Sequence, residues 1–424
     1  MTRLHLVARS SDVAAIRLLP EQGTSIDAWD NHFNTPLHSA ASGGNHDIVQ
    51  FPLERSANPE AKDTENIHNT PLHTAAENGN FAAAWTLLDN GANIHAHRKG
   101  LCTPLHLASQ GGNADVVQLL IGRGADLKAR NVRGRTPLYI AAYYGKTDAV
   151  RSLLDLGANI EACGEDLWTP LHTASKWGHP DVVRLLRERG AHLEAKTDKG
   201  HTPLYEAAYN GKTDAVRSLL NLGANIEAFN KTLRTPLHVA SECGHFYVIR
   251  LLHEHGAHLE AKNDLGGTPL HVAACKGKAD VVRLLLDLGA NIKACSNDLF
   301  TPLHIASLNG HLDVVQLLLG RGAHLEAKDD CGTTPLHVAA YCGKADAVRS
   351  LLNLGANIEA RDKRLRTPLH TASAGVHPNV VQLLLERGAK VDAQDNKHKT
   401  PVQLAKKSGH YEIEQLFSKY NKHK

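Results

Sequence analysis

Apolar residues recur along this chain in short, evenly spaced blocks. One stretch, Thr169 to His201, reads "TPLHTASKWGHPDVVRLLRERGAHLEAKTDKGH". Leu171 and Ala174 give a first short apolar face, and Val182, Val183, Leu185 and Leu186 give a second at helical spacing. Pro170 suits the first turn of a helix, where its missing N–H costs nothing. Gly178 interrupts the first run and Gly190 lies just past the second, where helices commonly stop. The pattern predicts two short helices followed by a turn-rich connector, "AHLEAKTDKGH".

The block is one of a series. Thr-Pro-Leu-His occurs nine times, two further copies end in Tyr139 and Tyr205, and variants stand at Thr2 to His5 and at Thr400 to Gln403. Successive Thr positions are 33 residues apart, except for 35 between Thr35 and Thr70, so thirteen units fill the chain and the last is truncated. A lone helix pair cannot bury its apolar face, whereas stacked neighbours build a continuous one-dimensional core. The 33-residue period, the Thr-Pro-Leu-His tetrapeptide and the Gly-Ala after the second helix carry a resemblance to the ankyrin repeat family over essentially the full length. The resemblance implies L-shaped units of two antiparallel helices and a β-hairpin finger, stacked into an all-α repeat solenoid with a concave face. At roughly 8–10 Å per unit such a stack reaches on the order of 100 Å. We expect a single solenoid over residues 1–424, with degenerate units at 1–69, regular units at 70–399 and a truncated capping unit at 400–424.

The units alternate in kind. Those starting at Thr136, Thr202, Thr268 and Thr334 carry "GK" and "LGANI" or a close variant, whereas those at Thr169 and Thr301 carry "GH" and "RGAHLEAK". Two residues before Thr, Gly at 134, 200, 266 and 332 alternates with Leu at 101, 167, 233, 299 and 365. The true period is therefore 66, which reads as duplication of pairs rather than as a function of the leucines.

Within this frame core positions tolerate little change, and surface positions vary. The varied positions are the residues before the inter-helix Gly, the residue before Thr, and one finger position. The resemblance places all three on the concave side, where partners of the family bind. Nine of the twenty aromatics fall there, among them Tyr143, Tyr144, Trp168, Trp177, Tyr209, Phe229, Phe300 and Tyr341. Six of these, from Tyr143 to Phe229, cluster in three successive units. Aromatics anchor interfaces because they bury much area at little rotamer cost. With Lys176 and Arg234 they form the expected partner-binding set.

Composition narrows the classes. The net charge of +3 offers no strong field for nucleic acid or a membrane surface. No apolar run nears the ~18 residues of a membrane span, and the opening "MTRLHLVARSSDVAAIRLL" lacks a signal-peptide core. Seven cysteines without a C-x-x-C fit reduced thiols in the cytoplasm, with the nucleus as the alternative. Cys243 and Cys275 fall on adjacent units, beyond the reach of a disulfide. The 28 histidines do not read as metal ligands, because the tetrapeptide rings come one per unit. Hydrogen bonding within the turn and between units is their expected role. Gly145-Lys146-Thr147 ends like a phosphate-binding loop, but Ile140 stands where that loop needs Gly.

The reading is a non-catalytic, monomeric scaffold or adaptor that binds a partner protein and carries no cofactor. As the alternative, the lysine-rich C-terminal units, from "ARDKRLR" onward, bind nucleic acid or an acidic partner, or the chain is the ankyrin part of a larger signalling or effector protein. The frame is damaged in places. Pro52 falls inside a second helix, Ser56 replaces the helix-stop Gly, two extra residues lie between Asp63 and Asn69, and Val376 follows a displaced Gly375. Residues 1–69 are therefore expected to unfold before the middle of the chain.

Overall fold

The computed structural model describes residues 3–9, 15, 25–63, 67–407 and 409–422. The second half of the first expected unit lies largely outside them. The chain divides into two compact units, Met1–Asn225 and Ile226–Lys424. The first holds Arg3–Arg9 and six helix pairs, from Pro36–Gly43 with His46–Glu54 to Pro203–Tyr209 with Thr213–Asn221. The second holds six more, from Pro236–Cys243 with Phe246–Glu254 to Pro401–Lys407 with Tyr411–Lys422. In each unit the first helices pack on one another in sequence order, and most second helices do the same.

The pair at Thr169 shows why. Pro170–Trp177 starts on Thr169, whose extended backbone (φ −85°, ψ 166°) is the usual N-cap conformation. Leu171, Ala174, Val182, Val183 and Leu186 are almost wholly buried, as the apolar spacing predicts. Burying such side chains stabilises by about 1.5–3 kcal/mol each, but only because the neighbouring units supply the other wall.

The tetrapeptide histidine ties each unit to the next. The Thr169 backbone N–H donates to His172 Nδ1 at 3.3 Å, and the Thr169 hydroxyl lies 2.8 Å from the same nitrogen. A backbone N–H can only donate, so Nδ1 is bare and the proton sits on Nε2. That Nε2–H donates to the His201 carbonyl at 3.0 Å, 29 residues on. The same pair of contacts recurs at His38, His73, His106, His238, His271, His304, His337 and His370. A second staple follows from the finger glutamates: the Glu161 carboxylate accepts the His192 N–H at 2.8 Å, and Glu194, Glu260 and Glu326 do likewise 31 residues on.

The fingers are tight loops, and no strand occurs among the described residues. Each closes on itself, as Asn131 N–H does on the Arg135 carbonyl, and most give one backbone bond to the finger before, as Val132 N–H does to the Gly100 carbonyl at 2.9 Å. One bond per neighbour is too few for a ladder. The position two before Thr is left-handed in every such finger. Gly134 (φ 67°) adopts it freely, whereas Leu101 (57°), Leu167 (62°), Leu233 (54°), Leu299 (58°) and Leu365 (56°) are held there at a cost of ~1–2 kcal/mol each.

The alternation read as pair duplication also has structural consequences. Arg123, Arg189 and Arg321 reach back to Asp89, Asp155 and Asp287 of the preceding unit at 2.6–2.8 Å. His179 Nε2–H donates to the Tyr143 carbonyl at 3.0 Å, and His311 to that of Cys275 at 2.9 Å. The "GH" units at Thr169 and Thr301 thus grip the "GK" units before them through both contacts.

The damaged places are absorbed locally. His46–Glu54 continues through Pro52. Asp63 N–H still closes on the Asn69 carbonyl at 2.9 Å, as the regular fingers do, while residues 64–66 lie outside the described residues. Ser56 and Val376 both take φ 62° where other units place Gly.

Candidate partner-binding surface

The expected set divides between the compact units. Tyr143, Tyr144, Trp168, Lys176, Trp177 and Tyr209 lie in the first, and Phe229, Arg234, Phe300 and Tyr341 in the second. Trp177, Tyr144, Tyr209, Phe229 and Tyr341 are 43–58% exposed, large apolar areas for a folded surface.

In the first unit the inner helices bring three rings together. Tyr143 lies 4.9 Å from Tyr144, ring to ring, and 5.0 Å from Trp177 of the next unit. The finger of that next unit lays Trp168 alongside, 5.9 Å from the His172 ring, and Lys176 Nζ sits 4.7 Å over the Trp168 face. Trp168 is therefore half-buried: it covers the histidine that staples the stack and presents its other edge outward. A cleft of about 340 Å³ opens between Tyr143, Trp168 and Trp177. Tyr209 stands exposed one unit further on.

In the second unit the set is dispersed. Phe300 covers His304 at 5.4 Å, as Trp168 covers His172. Arg234 pairs with Glu242, which also accepts Lys276 at 3.0 Å. Both cations hold the Glu242 carboxyl below the usual range, against the opposing effect of its partial burial.

Arg135 stands at one of the varied positions before Thr but was not in the expected set, and Glu165, Asp166 and Thr173 escaped the sequence reading. Arg135 lies 5.1 Å over Tyr139 and 5.5 Å over Tyr143, and with Glu165, Asp166 and Thr173 it lines the cleft. These look like ordinary finger and core residues until the fold sets them beside Trp168. Phe81 and Trp85, each 43% exposed on an outer helix, form a separate patch with Arg123 4.2 Å over the Trp85 ring. The signal was present in "FAAAWTLLD", where second helices such as those at Gln118, Arg151 and Arg184 carry Gln or Arg at the place of Trp85.

Among the described residues no group of His, Cys, Asp and Glu could hold a metal ion. Lys146 caps the helix Thr147–Asp155, and the His179 ring packs against Gly145, so this loop is an inter-helix turn. Cys243 and Cys342 are half-buried thiols whose pKa burial raises, which makes them poor nucleophiles at neutral pH. No helix among the described residues is long and apolar enough to cross a membrane.

Stacked helix pairs, histidine staples and linked fingers are the features of one family. The family model described as ankyrin repeats (3 copies) matches residues 4–98, 53–131, 105–197, 191–263, 257–329, 325–395 and 354–424. The chain belongs to the ankyrin repeat family. Ankyrin repeats generally mediate protein–protein interaction. A 60-residue stretch is 35% identical to the ADP-ribosylation factor GTPase-activating protein AGD4 of Arabidopsis thaliana, covering 14% of this chain and 8% of that protein. The crystal structure of the human ASB11 ankyrin repeat domain aligns at 32% identity with a TM-score of 0.49, over 53% of this chain and 99% of that one.

Proposed function

We propose that this chain is a non-catalytic scaffold that binds a partner protein through its fingers and inner helices, with Tyr143, Tyr144, Trp168, Trp177 and Tyr209 as the anchoring group. The observation that carries the reading is the ring cluster of Tyr143, Tyr144 and Trp177, built from two successive units at 4.9 and 5.0 Å. Exposed aromatics packed side by side are pre-ordered, so binding loses little side-chain entropy. Phe229, Arg234, Phe300 and Tyr341 would contact a partner from the second compact unit. Seven unpaired cysteines favour a reducing compartment, the cytoplasm or the nucleus.

Hydrogen exchange on a captured complex tests the reading. Protection should concentrate on the inner helices and fingers of the units at Thr136 and Thr169. Protection confined to the outer helices, or to the lysine-rich units after Ala360, would overturn it.

A further inference from the structure

The finger beside Trp168 differs from the other leucine fingers in holding two neighbouring non-glycine residues left-handed, and the difference sets charge against aromatic faces. Glu165–Leu167 forms a single 3-10 turn in which Asp166 (φ 57°) and Leu167 (φ 62°) are both left-handed. Each other leucine finger holds one such non-glycine residue, and where Leu101 has a left-handed neighbour it is Gly100 (φ 87°), which takes that conformation freely. Strain of this kind persists where the surroundings over-determine it, commonly at ligand sites. Here it places Glu165 and Asp166 on the wall of the cleft that Trp168 and Tyr143 also line.

Those ring faces already carry cations. Lys176 Nζ is centred over Trp168 at 4.7 Å, and the Arg135 guanidinium lies 5.5 Å from the Tyr143 centroid. A ring face attracts cations through its quadrupole, and the carboxylates add to that attraction. The flexible four-carbon stem of Lys176 lets it swing out to water. Its compact ammonium is strongly hydrated, whereas a guanidinium is weakly hydrated, planar and suited to stacking. An incoming guanidinium therefore has the advantage over the resident ammonium at the Trp168 face.

We propose that this cleft receives an arginine side chain from a segment of the partner, stacked on Trp168 in place of Lys176 and neutralised by Glu165 and Asp166. The proposal rests on the partner-binding reading and names the chemistry of its central contact. The volume of about 340 Å³ suits one side chain, near the lower end of small-ligand pockets, which run from roughly 300 to 1,000 Å³.

The full chain tests it, with the peptide acetyl-GSGRGSG-amide as probe and versions with Lys or Glu at the central position as controls. Binding is read from the tryptophan indole N–H signals in NMR titrations, assigned with Trp168→Phe and Trp177→Phe. The arginine peptide should shift the Trp168 and Trp177 signals, the lysine peptide less so, and the glutamate peptide not at all. Lys176→Ala should tighten arginine binding by about two- to fivefold, because the competing cation is gone. Glu165→Gln with Asp166→Asn should weaken it by a similar factor with an unchanged melting temperature. Preference for the glutamate peptide, no shift with the arginine peptide, or weaker binding by Lys176→Ala would each overturn the proposal. Any of these would still leave the aromatic surface itself to stand or fall by partner capture.

Discussion

His172 Nε2 lies 3.0 Å from the carbonyl oxygen of His201, one unit further along the stack. The bond needs a neutral ring, because Nδ1 must accept from Thr169 while Nε2 donates. Burial, the largest cause, lowers the pKa of His172 to about 4, and does the same to His73, His106, His238 and His271. In the unfolded chain these rings titrate near 6.5. Between the two values the unfolded chain binds more protons, so stability is complete above about pH 6.5 and is lost as pH falls towards 4. The urea midpoint should be clearly lower at pH 5 than at pH 7. Equal midpoints would contradict the neutral-ring account.

His172→Ala should cost about 1–3 kcal/mol, since it leaves the Thr169 N–H and the His201 carbonyl without their partner in a buried turn. His172→Gln should retain part of that stability. Gln403 shows how: its Oε1 accepts the Thr400 N–H at 3.1 Å in the last unit. Chemical denaturation of the two variants decides the point, and a glutamine variant no better than alanine would count against it.

Gly375 and Val376 invert the usual order, and each has a separate reason. Gly375 has an ordinary helical backbone, but a Cβ there would meet the Tyr341 carbonyl oxygen at 2.3 Å. Val376 holds φ 62°, an outlier for a β-branched side chain. Val376→Gly should therefore stabilise by about 1 kcal/mol, and Gly375→Ala should destabilise. Thermal melts that rank the two the other way would refute this.

The glutamate staple is missing where the sequence places Lys128 and Lys293. Aligned glutamates such as Glu161 accept the N–H 31 residues on, and a lysine cannot accept. Lys293→Glu should supply an acceptor for the His324 N–H and raise stability by about 0.5–1.5 kcal/mol. An unchanged denaturation midpoint would show that the staple carries no net energy.

The fold was legible because its signals are periodic. Pro170, Leu171, His172 and Gly178 recur in register, so thirteen weak local cues reinforce one another. The inter-unit reach of His172 was legible as a role but not as a geometry, since its partner stands 29 residues away. The surface was half legible. Trp168 and Trp177 stood out because they vary where the frame does not. Arg135 and Glu165 did not, because an Arg or Glu in a turn is ordinary until stacking sets it against a ring. The alternation of Leu and Gly two residues before Thr looked purely historical. Only the backbone torsions show that each leucine occupies a conformation suited to glycine.

The central claim is that the aromatic rings between Tyr143 and Phe229 bind a partner protein. The most direct measurement is affinity capture from cell lysate with the wild type and with a Tyr143→Ser, Trp168→Ser, Trp177→Ser, Tyr209→Ser and Phe229→Ser variant, both checked for helix content by circular dichroism and identified by mass spectrometry. The account predicts a protein captured by the wild type and lost from the folded variant. Retention of the same proteins by that variant would contradict it, and would turn attention to the lysine-rich units after Ala360, whose binding should then weaken steeply with salt.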